Sequence, residues 1–257
     1  MTTNRSNAGD PARTLALLWR EESPNSRRGP RRTFDVDAVV DTAIALADEM
    51  GLGAVSIRRV AERVGSSPMS LYTYLPGKAE LLDLMLDTLY LRMERPLTSG
   101  RPWRERLEAV AATNQALYEA HPWAASVSTL RPPLGPGQMA KYEYELAALE
   151  QSGLGDVEID DSLTYLLTFV RANARDALHA RDAVHHSGMD DQQWWDSAGP
   201  LLARVLDPRT FPLATRIGTA AGTQRGSAHD PTQAYDFGLE RTLDAITVLV
   251  QRHCSPR

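Results

Sequence analysis

The stretch SIRRVAERVGSSPMSLYTYLPGK, residues 56–78, decides the fold because two short helices separated by a tight turn can be read in it. The first helix carries its apolar residues at the spacing of a single buried face: Ile57, Val60, Ala61 and Val64. Gly65 follows, where a left-handed residue ends a helix. Ser67 can cap the second helix, and Pro68 suits its first position. The pattern predicts a helix-turn-helix whose second helix, residues 69–74, is too short to be stable without neighbours.

This stretch and the residues after it resemble the DNA-binding core of the tetracycline-repressor family. The resemblance is carried by a leucine, tyrosine and lysine pattern: Leu71, Tyr72, Tyr74, Leu75, Lys78, Leu81 and Leu82. A second motif, WRERLEAVAATNQALYEAHPW at residues 103–123, resembles the C-terminal half of tetracycline-repressor-like members, as does the Arg131-Pro132 pair behind it. The resemblance spans about residues 33 to 185. It implies an N-terminal three-helix helix-turn-helix DNA-binding domain and a larger C-terminal helical domain for ligand binding and dimerisation.

Length and composition are typical of an ordinary globular protein. A chain of 257 residues can form one large or two modest domains, and no apolar run in it is long enough to cross a membrane. The N-terminus lacks the apolar block of a secretion signal. The single cysteine, Cys254, excludes an intrachain disulfide and a cysteine-based zinc cluster. We therefore expect a cytoplasmic protein.

The charge is unevenly distributed along the chain. The net charge is −5, but residues 1–33 hold seven arginines against three acidic residues. A basic segment on an acidic body is typical of a protein that touches phosphates at one end only. We predict a flexible Arg-rich arm over residues 1–33, with a few apolar residues at 15–19 that could form a short helix. Arg28 and Arg31 either follow DNA or belong to a solvated tail, and both alternatives remain open.

The remainder of the chain predicts helices throughout, and no strand alternation competes with them, so the fold class is all-α. The helix-turn-helix domain with its connecting helix is expected at 34–95, and the C-terminal domain at 98–257. Outside the helix-turn-helix, the main helices are predicted at 35–50, 78–93, 103–120, 138–152, 160–185, 190–207 and 233–252. Loops are predicted at 131–137 and 216–231.

A helix-turn-helix places its second helix in the major groove of DNA. The side chains expected to face outward from that helix are Ser67, Met69, Ser70 and Thr73. Arg58, in the first turn of the preceding helix, can reach a guanine in bidentate fashion, and the resemblance implies a base-reading role for it. The resemblance also implies that Tyr72, Tyr74 and Lys78 hold phosphates. We predict that these residues form the DNA interface.

Other residues of the two short helices divide between core and surface. Leu71 and Leu75 are predicted to be buried. Arg59 and Arg63 are either solvated surface or further DNA contacts. One such head binds DNA weakly, so the resemblance implies a symmetric homodimer on a palindromic double-stranded operator, formed by the helices at 160–185 and 233–252.

The resemblance further implies that the body binds a small-molecule effector whose binding opposes DNA binding. Asn114 and Asn173 interrupt apolar helix stripes, so each either contacts a ligand or is a satisfied core amide. Further candidates for the ligand site are His121, Trp123, Arg131, Tyr165, Thr168 and Phe169. Trp194 and Trp195 are interpreted as packing residues.

The sequence offers little support for a catalytic or metal-binding role. No Gly-rich phosphate loop, nucleophile elbow or H-E-x-x-H motif is present, so we predict that the protein is not an enzyme. The histidine that anchors magnesium in a relative is absent from LLDLMLDTLYLRM at 81–93, so we predict no metal and no cofactor. The competing hypotheses are an all-helical enzyme and a protein-interaction module with a structural helix-turn-helix.

Overall fold

A computed structural model describes residues 10–20, 35–129, 131–227 and 230–254. Within these ranges the chain is helical and contains no β-strand, which confirms the all-α prediction. The helices are α1 Pro11–Leu18, α2 Val36–Met50, α3 Ile57–Arg63, α4 Pro68–Tyr74, α5 Lys78–Arg92, α6 Trp103–Ala120, α7 Pro122–Ala125, α8 Pro136–Ala147, α9 Asp156–Ser187, α10 Asp191–Val205, α11 Pro212–Arg225 and α12 Pro231–Cys254. None of the helices in these ranges is both long and apolar enough to span a bilayer. Arg28 and Arg31 lie outside the described residues.

Helices α3 and α4 form the predicted helix-turn-helix. The Ser56 hydroxyl caps α3 by accepting a hydrogen bond from the backbone N–H of Arg59 at 3.2 Å. Gly65 ends this helix with φ at +69°, as expected for a left-handed residue. The Ser67 hydroxyl caps α4 by accepting from the N–H of Ser70 at 3.2 Å. These caps fix the ends of both helices where the sequence predicts them.

The two short helices are held by α2 and by their own leucines. Leu71 and Leu75 are each 1% exposed, which confirms that they are core. The facing side of α2 is also buried: Val39, Val40, Ala43, Ile44 and Ala47. On the outside, Arg63 forms a bidentate ion pair with Glu49 at 2.7 and 2.8 Å, which ties α3 to α2. Helix α4 therefore stands on a rigid support.

Helix α5 joins the head, which consists of α2, α3 and α4, to the body, which consists of α6 to α12. Between residues 80 and 90 the helix is buried on almost every side. Its buried apolar residues are Leu81, Leu82, Leu84, Met85, Leu86, Leu89 and Tyr90. The helix packs against α1, α2 and α8, so the buried residues of head and body form one continuous core. A change in the position of α5 is therefore felt in both parts of the molecule.

Asp87 of α5 caps the N-terminus of α8. Its carboxylate accepts hydrogen bonds from the N–H of Gly137 at 3.2 Å and of Gln138 at 2.8 Å. Burial raises the pKa of Asp87, and these two hydrogen bonds oppose that shift. The cap explains why this helix begins at Pro136 and not at the predicted residue 138; it ends at Ala147, where the chain enters a turn, and not at residue 152.

Part of the predicted arm is docked on the protein. Residues 11–18 form α1, and its Thr14 and Leu18 are buried as the helix packs against α5. The Trp19 indole donates a hydrogen bond of 2.8 Å to the carbonyl of Leu134. Arg20 pairs with Asp37 of α2. Residues 10–20 of the predicted arm therefore have buried contacts of their own, and the short helix that the apolar residues at 15–19 suggest is present as α1.

The body is built around α9, which runs for 32 residues and is about 48 Å long. It packs against α6, α7 and α12. The apolar residues that α9 and α12 bury in this packing are Leu163, Leu166, Val170, Leu243, Ile246 and Val250. The helices predicted at 160–185 and 233–252 are both present and extend a few residues further at each end.

The prediction of a loop at 216–231 is wrong, because helix α11 occupies most of this segment. The helix ends at Gly226, whose φ is +67°. Its Gly222 lies so close to the indole of Trp195 that an added Cβ would be 3.0 Å from it. The Gly- and Thr-rich sequence that resembles a loop therefore serves helix packing, and Trp195 is a packing residue as predicted.

Candidate DNA interface and interior cavity

Helix α4 presents one face to the core and the other to solvent. Every side chain predicted to reach DNA from this helix and its cap is exposed: Ser67, Met69, Ser70, Tyr72, Thr73 and Tyr74. Met69 is the most open of the large apolar ones, at 77% exposed. An apolar residue this exposed on a short, capped helix is available for contact with another molecule. The outward face matches the requirement of a major-groove probe.

Three hydroxyls on this face are fixed by local hydrogen bonds. The Ser67 and Ser70 hydroxyl oxygens lie 2.9 Å apart. The Thr73 hydroxyl donates to the Met69 carbonyl one turn earlier, at 3.2 Å. Each oxygen keeps lone pairs that can accept from a cytosine or adenine amino group.

Arg58 is exposed at the start of α3, but it is already paired. Its Nε lies 2.9 Å from the carboxylate of Glu62, one turn later on the same helix. Both side chains are more than half exposed, so the pair is weak and can be exchanged for a contact with a base. The predicted base reader is therefore held beside the helix by Glu62 in the absence of DNA.

Lys78 is placed by a contact within the protein. Its ammonium group donates to the carbonyl of Leu52 at 3.2 Å, which joins the start of α5 to the turn between α2 and α3. Burial lowers the pKa of Lys78. This geometry keeps its charge near the N-terminus of α5, where an anion is favoured.

Arg59 and Arg63 bend back onto the head. Arg59 donates to the carbonyl of Ala54 at 3.4 Å, and Arg63 is engaged by Glu49. Hydrogen bonding to Arg63 lowers the pKa of Glu49. These contacts favour the surface role over the DNA-contact role for both arginines.

A cavity of about 380 Å³ lies in the body between α6, α8 and α9. The polar residues in its wall include Asn114, Lys141, Glu145, Thr164, Thr168 and Arg171. Asn114 and Thr168 were predicted as ligand residues, and both line this space. The cavity is a suitable size for a small organic molecule.

A buried polar network crosses the wall of this cavity. Glu145, 1% exposed, accepts hydrogen bonds from Lys141 Nζ at 2.5 Å and from Asn114 Nδ2 at 2.6 Å. Burial lowers the pKa of Lys141, and the neighbouring Glu145 opposes that shift. Burial also raises the pKa of Tyr118 to about 12, so its phenol stays protonated at neutral pH. The network places charges and hydroxyls where water is largely excluded.

His121 and Trp123 were predicted to contact ligand, but they face the head. His121 Nδ1 lies 2.9 Å from the carboxylate of Asp48 in α2, and the Trp123 indole donates to the same carboxylate at 2.7 Å. His121 also borders a separate groove of about 520 Å³ between α2, α5 and α6. Both residues therefore connect the body to the head.

The other predicted ligand residues lie apart from the cavity wall. Asn173 donates to the Pro231 carbonyl at 3.1 Å beside a smaller cavity of about 110 Å³, so the core-amide alternative fits it. Phe169 stacks on Tyr235 with ring centroids 5.7 Å apart. Tyr165 is 55% exposed and Arg131 is also at the surface. The structure does not bring these four residues into the cavity.

Sequence reasoning missed three charged residues in the cavity wall. Lys141 and Glu145 are spaced as a solvated helix pair, so their pattern gives no sign of burial. Arg171 could have been found, because it continues the apolar row of Leu163 and Leu167 at four-residue spacing. Arg171 and Asn114 share one sequence feature, which is a polar residue that interrupts an apolar helix stripe.

Helix α4 is capped and faces outward from a head whose core continues into a body that contains a cavity. These features are typical of a helix-turn-helix regulator. Residues 39–85 match the family described as bacterial regulatory proteins, tetR family. Residues 95–250 match the family described as tetracyclin repressor-like, C-terminal domain. The chain belongs to the tetracycline-repressor family, and it is a DNA-binding transcriptional regulator and not an enzyme.

Individual relatives agree with this membership. The chain is 38% identical over 250 residues to the HTH-type transcriptional repressor DrrR1 of Streptomyces coeruleorubidus, covering 97% of this chain and 90% of that protein. It is 28% identical over 195 residues to the tetracycline repressor protein class C of Escherichia coli, covering 75% and 86%. Its fold is similar to that of Streptomyces coelicolor ActR in complex with actinorhodin, with 26% identity, a TM-score of 0.69, and coverage of 84% and 97%.

Proposed function

We propose that the protein is a homodimeric repressor that binds a palindromic operator in the cytoplasm and is released from it by a small molecule. The observation that carries this proposal is the exposed face of α4 on a head whose core continues into the body. The relative DrrR1 is a transcriptional repressor, and ActR is a family structure with a small molecule bound. Both support the same type of function for this chain.

The homodimer part of the proposal rests on α9 and α12. These helices pack against each other and still carry large exposed apolar residues: Val157, Tyr165, Val184, Phe237 and Val248. Pairing the same two helices from a second copy would bury this surface in a four-helix bundle. Two heads held by such a bundle can meet two half-sites of one operator.

The effector part of the proposal rests on the cavity of about 380 Å³. Its walls come from α6, α8 and α9, and α8 is fixed to α5 through Asp87. A molecule that binds best when these helices have shifted also shifts α5. The movement of α5 then changes the position of the head. Ligand and DNA then oppose each other by the same coupling free energy. The groove of about 520 Å³ is a weaker candidate, because none of its described lining residues is a buried polar group.

A gel-shift titration tests this function. The purified protein is mixed with the intergenic DNA beside its own gene, and its oligomeric state is measured by analytical ultracentrifugation. We expect a dimer that shifts this DNA, resists random competitor DNA, and is released by a small molecule that raises the melting temperature of the protein. A monomer, or binding that competitor removes fully, would contradict the proposal.

A further inference from the structure

Among the residues that the structure describes, Arg171 is a cation of the cavity wall without a carboxylate partner. Within the described ranges its one hydrogen bond is to the Thr129 hydroxyl, and no acidic side chain lies within ion-pair distance of it. A guanidinium has five N–H donors in a fixed fork, so most of them are available. At this partly buried position, such a group favours an anionic oxygen.

Neither carboxylate of the described cavity wall forms an ion pair with Arg171. Lys141 and Glu145 neutralise each other at 2.5 Å. Asp160, at the exposed side of the cavity, is engaged by the Tyr142 hydroxyl at 2.6 Å. The charges of the wall therefore sum to zero, but within the described ranges Asp160 forms no ion pair with Arg171, so the guanidinium has no direct anionic partner.

Asn114 contributes a buried hydrogen-bond acceptor that has no donor among the described residues. Its side chain is 1% exposed, and its amide nitrogen donates to the Val110 carbonyl at 2.9 Å and to Glu145 at 2.6 Å. Its amide oxygen is buried and has no hydrogen-bond partner among the described residues, and Asn114 is one of the residues that line the cavity. A buried acceptor left unpaired is costly, so a ligand that donates to it gains affinity.

We propose that the effector is a hydroxylated organic acid, whose acidic oxygen pairs with Arg171 and whose hydroxyl donates to the amide oxygen of Asn114. Its apolar body lies against Leu163, Leu167 and Pro132, which line the same space. This assignment rests on the proposed function, because it takes the cavity to be the effector site. It goes further by naming the chemistry of the molecule and the residues that select it.

The test is calorimetric titration of the full chain with three probes: 6-hydroxy-2-naphthoate, its methyl ester, and 6-methoxy-2-naphthoate. The ester removes the negative charge, and the methoxy compound removes the hydroxyl donor. We expect the hydroxy acid to bind about tenfold more tightly than the ester, and severalfold more tightly than the methoxy acid, as the strengths of charged and neutral hydrogen bonds require.

Variants then locate the selectivity. Arg171→Gln should bind acid and ester alike, whereas Arg171→Lys should keep part of the preference for the acid. The matched control is Arg175→Gln, one turn further along α9 and exposed, which should behave like the wild type. Helix content measured by circular dichroism verifies that each variant is folded, and a variant that is unfolded is replaced in the comparison by Arg171→Lys.

Three results would overturn the inference. They are equal binding of acid and ester by the wild type, an acid preference that persists in Arg171→Gln, and no binding of either the hydroxy acid or the methoxy acid. The titration contains no DNA, so it is independent of the operator assay. A protein that prefers the acid through Arg171 but ignores operator DNA would retain this binding site while contradicting the repressor function.

Discussion

The indole nitrogen of Trp123, in the body, donates a hydrogen bond of 2.7 Å to the carboxylate of Asp48, in the head. The bond is partly buried, and His121 meets the same carboxylate from the other side of Pro122. Because α7 also packs against α9, this contact joins the central helix of the body to α2. It fixes the angle between the two parts independently of α5.

Trp123→Phe should reduce the free energy of unfolding by about 1.5–3 kcal/mol or more, since it removes a hydrogen bond to a charged group and replaces a buried indole by a smaller ring. The matched control is Trp19→Phe, which removes a bond to a neutral carbonyl at an exposed site and should cost about 0.5–1.5 kcal/mol. Urea denaturation measures both. Equal losses in the two variants would mean that the Asp48 contact has no special weight.

Arg58→Ala should weaken operator binding by about 1–3 kcal/mol and relax the preference for one base pair. Glu62→Gln should do the opposite and strengthen binding severalfold, because it frees the Arg58 guanidinium and removes an exposed negative charge beside the proposed DNA interface. Glu150→Gln, an exposed acid on the body, is the control. Fluorescence anisotropy with a set of singly substituted operators measures these effects. A uniform loss at every operator for Arg58→Ala would refute its role as a base reader.

Lys78→Ala should weaken binding to all sequences alike, since a phosphate contact carries no sequence information. The slope of log affinity against log salt concentration should fall by about 1. The variant should also lose some stability, because Lys78 holds the Leu52 carbonyl. An unchanged salt slope together with reduced stability would assign Lys78 a purely structural role.

Lys141→Met should destabilise the protein by about 3 kcal/mol or more, because it leaves the Glu145 carboxylate buried and unpaired. The double variant Lys141→Met/Glu145→Gln should recover most of this loss, since the glutamine amide oxygen can still accept from Asn114. Thermal and urea unfolding of the two variants provide the measurement. If the double variant is no more stable than the single one, the unpaired Glu145 carboxylate is not the cause of the lost stability.

Gly137→Ala should be strongly destabilising, because its Cβ would lie 1.9 Å from the backbone oxygen of Asp87. The expected loss is about 3 kcal/mol, with α8 displaced from α5. Gly218→Ala is the matched control, because nothing lies within 4 Å of its added Cβ and it sits inside helix α11, so it should stabilise by about 0.5–1 kcal/mol. A mild effect at Gly137 would show that the two helices separate easily.

The helix-turn-helix could be predicted almost to the residue because its limits are local. Ser67 and Gly65 determine helix ends through their own hydrogen bonds and backbone angles. The start of α8 depends instead on Asp87, which is fifty positions away in the chain. Helix α11 was missed for a similar reason, since its glycine meets Trp195 of another helix.

The cavity was only partly predictable. Asn114 was found because an amide in an apolar stripe is visible in the sequence. Lys141 and Glu145 were missed because their spacing alone is that of a surface pair. Only the packing of α8 against α5 and α9 and the hydrogen bond from Asn114 of α6 bury them. His121 and Trp123 were proposed as ligand residues because they flank Pro122 at a helix end, whereas Asp48 engages both. Contacts between distant segments decide these cases.

The most direct measurement of the central claim is a footprint of the wild type and Met69→Asp on the intergenic DNA beside the gene. Met69 is 77% exposed on α4, so its replacement should spare the fold; Leu97→Asp, at a residue 91% exposed, is the control. We predict two protected half-sites related by two-fold symmetry, with centres about 10 base pairs or a multiple apart, for the wild type and for Leu97→Asp. Protection should disappear for Met69→Asp. Unaltered protection by Met69→Asp, or no protected site with the wild type, would contradict the account.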